Sequence, residues 1–400
     1  ETGKTLYVAL VLRPGDVYPQ LVRLFEQQQL DSLLLSSSDM KLVNNLYRGI
    51  TIFYQGGPEI DYGKRLYELV WKPIEHLVAD GSTVYYSPSG TLHQIAFAAI
   101  VDSDKQLLSD RYKLVQLSTT AMLAQASRFT AEKPSLIALF GGIAYEVDNN
   151  ELLATADKIA KDKDFISRSF SVDPERGGTE WNYLPGTLTE INEIAALVKK
   201  KKIKVQTFSG KEAVEESFKS LGGSNSPRII HIATHGFFFP DVLKSEGKSE
   251  MNLSGEEIYR SSENPLNRAG LLFAGANMAW SGYAIQGIDD GILTAYEVSN
   301  VTLGSTQLVV LSACETGLGE IKGSEGVFGL QRAFKAAGAE YLMMSLWKVP
   351  DAETAMFMKY FYEQYLSGKS IQDSFHYTQQ YMKSKFREEP AKWAAFVLVR

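Results

Sequence analysis

A single cysteine, Cys314, stands among 400 residues. One thiol excludes an intramolecular disulfide framework and any cysteine-rich zinc site, and it suits a reducing compartment such as the cytoplasm. Histidine is nearly as scarce. His76, His93, His231, His235 and His376 are the full set, and no HExxH spacing seeds a metal centre. Neither a metal nor another cofactor is expected. Long apolar runs are also missing: nothing approaches the ~20 residues that a membrane span requires, so no membrane partner is expected. No secretory leader opens the chain, and a strand-like run begins by residue 5, which suggests a piece of a longer protein. Basic charge is in short supply as well. Against 47 Asp and Glu there are 41 Lys and Arg, a net charge of −6, so direct nucleic-acid binding is disfavoured. The one dense basic run, four lysines at 199–202, falls where a predicted helix ends and complements its dipole.

What remains is an ordinary globular composition, 44% apolar and 22% charged, at a length that suits two to three domains or one large two-part domain. Short apolar runs alternate with helical periodicity. Residues 5–12, 50–54, 83–86 and 114–117 read as strands, and 19–28 and 62–79 as helices. A polar, proline-containing break at 129–134 divides the chain into 1–130, a smaller α/β region, and 131–400. In the second part, 135–140, 204–208, 228–234, 308–312 and 340–347 read as strands, and 395–399 as a strand that closes the sheet. Residues 187–200, 211–221, 326–337, 352–366 and 371–385 read as helices, and 145–183 as mostly an insertion with a helix near 151–161. Thr187-Leu188-Thr189-Glu190 has the spacing of a capping box. Strands alternating with helices define an α/β fold with a mainly parallel central sheet.

Ligands of such sheets bind beyond the carboxyl ends of the strands. Two of the apolar strands end in reactive residues. One runs through His231 and Thr234 into His235-Gly236; the other runs through Ser312-Ala313 into Cys314-Glu315-Thr316-Gly317. If the strands are neighbours, an imidazole and a thiol meet at one rim, the minimum for a Cys–His nucleophilic dyad. A free cysteine is also commonly a plain core residue, and both readings of Cys314 stand on position alone. His231, inside its strand, reads as a hydrogen-bonded core histidine. His93 lacks a cysteine partner and reads as structural. The run 317–326 is glycine-rich but fits neither GxGxxG nor a P-loop, and its two glutamates oppose an anion. It reads as a wall of the substrate groove. A Cys-nucleophile α/β-hydrolase would want a glycine two residues before the nucleophile, where Ser312 stands.

The blocks His231-Ile232-Ala233-Thr234-His235-Gly236 and Leu311-Ser312-Ala313-Cys314-Glu315-Thr316-Gly317 resemble the two hallmark segments of the CHAT family, caspase-like cysteine peptidase domains related to separase. Leu184-Pro185-Gly186-Thr187, the run from Asp290 to Glu297 and the run from Ser345 to Asp351 are similar to the family and come in its order, and 83–97 resembles its variable N-terminal region. The resemblance implies a caspase-like three-layer fold at 131–400, preceded at 1–130 by a smaller, degenerate caspase-like half. It implies a cysteine endopeptidase cutting a protein substrate, with Cys314 as nucleophile, His235 as its base, and the amides of Gly236 and Cys314 as the oxyanion hole. Asp351, at the rim beyond the third apolar strand, matches the acid that separases use for a basic P1 side chain; it also suits the N-cap of the next helix, and Glu315 is a weaker acidic candidate. CHAT domains are commonly fused to tetratricopeptide repeats, so an N-terminal repeat region binding an activating partner is expected, with the isolated domain latent, and bacterial defence is an associated role. The alternative is a catalytically silent caspase-like scaffold. No third residue orienting His235 is legible.

Overall fold

The computed structural model describes residues 4–34, 46–47, 51–52, 60–129, 133–160, 180–224, 226–239, 259–283, 287–312 and 325–400. Two compact units emerge. One is built mainly from residues 1–126 together with 379–399, the other from 127–319 and 325–378.

In the first unit, strands Leu6–Val11 and Gln20–Glu26 form an antiparallel hairpin. Residues 19–28, read above as helix, are thus largely strand. Phe25 is buried against Tyr7, ring on ring at 4.8 Å, and this pairing holds Gln20–Glu26 as strand, while the glutamine run itself opens the helix Gln27–Leu34. Thr83–Tyr86, Lys113–Gln116 and Phe396–Val399 lie side by side and parallel. Trp71 and Tyr112 are buried together, with ring centroids 5.2 Å apart. Arg111 gathers the carboxylates of Glu75, Asp80 and Asp102, which hold its guanidinium charged.

His93 lies in the short 3-10 turn Gly90–Gln94, and burial lowers its pKa from 6.5 to about 4. Between those values the unfolded chain binds a proton that the folded chain refuses, so stability falls as pH drops through that window. Relative to His93→Gln, the wild type should lose about 2 kcal/mol between pH 7 and pH 5. Urea unfolding of both proteins at the two pH values checks this; a wild type that gains on His93→Gln as pH falls contradicts it.

The second unit is organised on five parallel strands in the order Tyr341–Ser345, Leu308–Leu311, Ile229–Ile232, Leu136–Ile143 and Lys204–Gly210. The first three are buried along their whole length, which is why each reads as a continuous apolar run. A second, antiparallel sheet takes Gly236–Phe238, Ala269–Leu272 and Ile292–Thr294 in that order. The helix Pro185–Lys200 packs on Leu136–Ile143 and on the helix Asp351–Leu366. It ends in exposed lysines, as expected.

The start of that helix departs from the capping-box expectation. Pro185 is its first residue, a position where the missing N–H costs nothing. Thr187 therefore sits inside the first turn. Its hydroxyl donates to the Leu184 carbonyl at 2.7 Å and accepts from the Gly142 N–H at 2.8 Å, which ties the helix to the end of a central strand. Glu190 is turned inward and spent elsewhere. No helix among the described residues is long and apolar enough to cross a membrane.

Candidate active site

Two neighbouring strands set up the site. The parallel register pairs Ile232 with Leu311, and the Ser312 N–H donates to the Ile232 carbonyl at 2.9 Å. His235 and Cys314 each follow their member of that pair by three residues. Cys314 itself lies outside the described residues, as do Glu315, positions 317–324 of the glycine-rich wall and positions 240–258 that follow the strand beginning at Gly236.

His235 is 3% exposed. Its Nε2 lies 2.8 Å from the carbonyl oxygen of Asn182. A carbonyl only accepts, so Nε2 carries the hydrogen and Nδ1 is the basic nitrogen. Tyr145 and Trp181 flank the imidazole, each with its ring centroid 5.0 Å away. The Tyr145 hydroxyl accepts from the His235 backbone N–H at 3.2 Å and pairs with the Thr234 hydroxyl at 2.9 Å. The imidazole is therefore fixed in position, in plane and in tautomer.

Gly236 begins an edge strand of the antiparallel sheet, as far as the described residues go. Leu272 N–H donates to the His235 carbonyl at 3.0 Å, and Gly236 stands opposite Leu271. That makes Gly236 and Leu271 a non-hydrogen-bonded pair, so the Gly236 N–H points away from the neighbouring strand.

Asp351 is the first residue of the helix Asp351–Leu366 rather than its N-cap. Pro350 takes the cap position, and its carbonyl accepts the first helical bond from Thr354 at 3.0 Å. The Asp351 side chain is exposed, and it closes on Gly186: a Cβ there would meet Asp351 Oδ2 at 2.6 Å, so a larger residue would push the carboxylate aside. The segment 180–186 thus carries both the carbonyl that holds His235 and the glycine that meets Asp351.

Beneath the rim runs a buried polar chain. His231 Nε2 donates to Glu190 Oε1 at 2.9 Å, the Ser312 hydroxyl donates to Glu190 Oε2 at 3.2 Å, and the Tyr362 hydroxyl donates to His231 Nδ1 at 3.3 Å. Burial, with the Glu190 carboxylate nearby, keeps the Tyr362 hydroxyl protonated. His231 is the hydrogen-bonded core histidine expected from its place in the strand. Glu190 is the residue that sequence reasoning misplaced: it links the strand leading to His235 with the strand leading to Cys314.

One carboxylate cluster has metal-like spacing. Glu215, Asp289 and Glu297 bring oxygens within 4.8 Å of one another. Lys219 Nζ occupies their midst, at 2.6, 2.9 and 3.3 Å respectively. Burial raises the Glu215 carboxyl well above its ordinary range, and burial with Glu297 beside it lifts Asp290 to about 7. The block from Asp290 to Glu297 has structural work here. Asp290 accepts from the Ile292 N–H and the Tyr259 hydroxyl, both at 2.9 Å, and Thr294 with Glu297 forms a capping box for the helix Ala295–Asn300. Between them Gly291 takes φ +79°, where a Cβ would meet the Ala274 carbonyl oxygen at 2.8 Å.

With the α/β fold and the placed histidine in view, comparison with known proteins gives the family. Residues 61–400 match the CHAT domain, and the chain belongs to the CHAT family. Over 109 residues, 27% of this chain, it is 36% identical to tetratricopeptide repeat protein 28 of Mus musculus. The same length is 35% identical to tetratricopeptide repeat protein 28 of Homo sapiens. The aligned stretch spans only 4% of either relative. Among solved structures, the Arg specific cysteine proteinase gingipain R is similar at 10% identity and a TM-score of 0.36, over 72% of this chain and 53% of the gingipain chain.

Proposed function

We propose that this CHAT domain is a cysteine endopeptidase acting through Cys314 and His235. The observation that supports the reading is the register of Ile232 with Leu311, which precede His235 and Cys314 by three residues each in the sequence, together with the Nε2–H tautomer of His235. With Nε2 donating to Asn182, Nδ1 is the nitrogen that takes the thiol proton and later returns it to the leaving amine. The thiolate attacks the peptide carbonyl. The oxyanion is met by the N–H groups of Gly236 and Cys314, and water then releases the acyl group. The Asn182 carbonyl is the third member that orients the base, and it stabilises the imidazolium as it forms. Latency until a partner engages, through an N-terminal repeat region, completes the reading; the naming of the relatives as tetratricopeptide repeat proteins supports such a region. Residues 1–130 are read as a degenerate caspase-like half.

A thiol-directed acyl probe tests the assignment. Labelling of the wild type that is lost in Cys314→Ala and strongly slowed in His235→Ala is expected. Labelling of Cys314 at equal rate with and without His235 favours the silent scaffold.

Asp351 is proposed as the acid of the S1 subsite. Its exposed carboxylate is not engaged as the helix cap and sits against the segment that holds His235, which supports a role in binding Arg or Lys at P1. Asp351→Asn should then lower cleavage after basic residues ~10-fold or more at unchanged stability, the scale of a lost charged hydrogen bond. Cleavage dominated by Leu or Met at P1, unmoved by Asp351→Asn, rejects the role.

A further inference from the structure

We propose that Asn277 is the positioning residue of the catalytic histidine, an inference that rests on the reading of His235 as the base. Asn277 lies in the short helix Ala276–Trp280 and is buried. Its Oδ1 accepts from the Trp181 backbone N–H at 2.8 Å, and its Nδ2 donates to the Trp181 carbonyl at 3.2 Å. Both polar groups of one residue's backbone are held by one side chain. The next residue is Asn182, whose carbonyl receives His235 Nε2–H. Asn277 also reaches the other wall of the imidazole, because its own N–H donates to the Tyr145 carbonyl at 3.2 Å. Trp280, one turn along the same helix, packs edge-on against Trp181 at 5.2 Å. One short helix therefore clamps both aromatic walls and the acceptor of His235.

The chemistry of the side chain suits this task. An amide presents one acceptor and one donor at the spacing of a peptide's N–H and C=O. Aspartate keeps the acceptor but sets a second oxygen against the Trp181 carbonyl. Alanine leaves both Trp181 groups buried without the side chain that satisfies them. When the clamp is removed, the Asn182 carbonyl loses its fixed place. The Nε2–H tautomer then loses its preference and the imidazolium loses an acceptor, so the titration midpoint of His235 falls.

The test uses the full chain and two readouts other than turnover. The first is the nitrogen NMR signature of the His235 tautomer and its titration, assigned by its disappearance in His235→Gln. The second is the pH profile of alkylation by iodoacetamide, which reports on Cys314 alone because the chain has one cysteine. In Asn277→Ala, a mixture of tautomers, a lowered His235 midpoint and alkylation near neutral pH slowed ~10-fold toward that of His235→Gln are expected. Asn277→Asp, near-isosteric and therefore the safer variant for folding, should show the same changes once its carboxyl ionises and approach the wild type while it is protonated. Folded Asn277→Ala or Asn277→Asp with an unchanged His235 tautomer, midpoint and alkylation profile overturns the proposal and leaves Asn277 a structural staple. Wild-type alkylation indifferent to His235→Gln overturns the dyad instead, and the tautomer readout still decides the clamp.

Discussion

Cys314→Ala and His235→Ala should each abolish peptide cleavage, by ~1,000-fold or more, while the protein stays folded. In the proposed mechanism the thiol supplies the bond-forming atom, and the sequence has no other cysteine to replace it. In the same proposed mechanism His235 takes the proton, and its fixed tautomer leaves Nδ1 as the nitrogen for the task. Because the two act as one unit, the double variant should be little worse than either single variant. Additive losses would mean that they act on separate steps. Purified variants assayed on one substrate, with circular dichroism to establish folding, settle the comparison. Substantial cleavage by Cys314→Ala ends the assignment at this site.

The largest effect on stability is expected at Glu190. Its carboxylate is buried and accepts from both His231, within one central strand, and Ser312, directly after the next. Glu190→Ala strands both donors in an apolar layer, and loss of one partner from such a buried set costs about 3–5 kcal/mol. Glu190→Gln retains an acceptor for His231 and should cost about 1 kcal/mol. Urea unfolding of the two variants beside the wild type measures the difference. Equal midpoints for Glu190→Ala and the wild type would mean that the polar chain contributes nothing to the fold. Activity should fall with stability in Glu190→Ala, since the same carboxylate ties the strand of His235 to the strand of Cys314.

How much of this was legible depends on where the information sits. The central strands were legible because burial on both faces forces apolar runs, as at Ile229–Ile232 and Leu308–Leu311. Their adjacency was only a condition in the sequence; the register supplies it. His235 stood out because an apolar strand runs directly into it, at the rim where ligands of such sheets bind. The partner of His235 was hidden, since the Asn182 group that holds it is a backbone carbonyl, common to every residue type. Asn277 was hidden for a related reason: a lone asparagine among Gly and Ala residues looks like a turn until its side chain is seen pairing with a distant peptide. Thr187 and Glu190 show the opposite failure. Their spacing matched a cap, but Pro185 starts the helix earlier, and the tertiary partners Gly142, His231 and Ser312 claim both side chains. The hairpin strand Gln20–Glu26 was missed because pairing with Leu6–Val11 and the stacking of Phe25 on Tyr7 outweigh local propensity.

The most direct measurement is proteome-wide mapping of new protein N-termini after treating a lysate with wild-type protein or with Cys314→Ala. The account predicts a discrete set of cleavage sites produced by the wild type and absent with Cys314→Ala, with Arg or Lys preceding the cut. Identical sets of N-termini from the two proteins, in a lysate where the acyl probe labels wild-type Cys314 and so shows the protein activated, would contradict it.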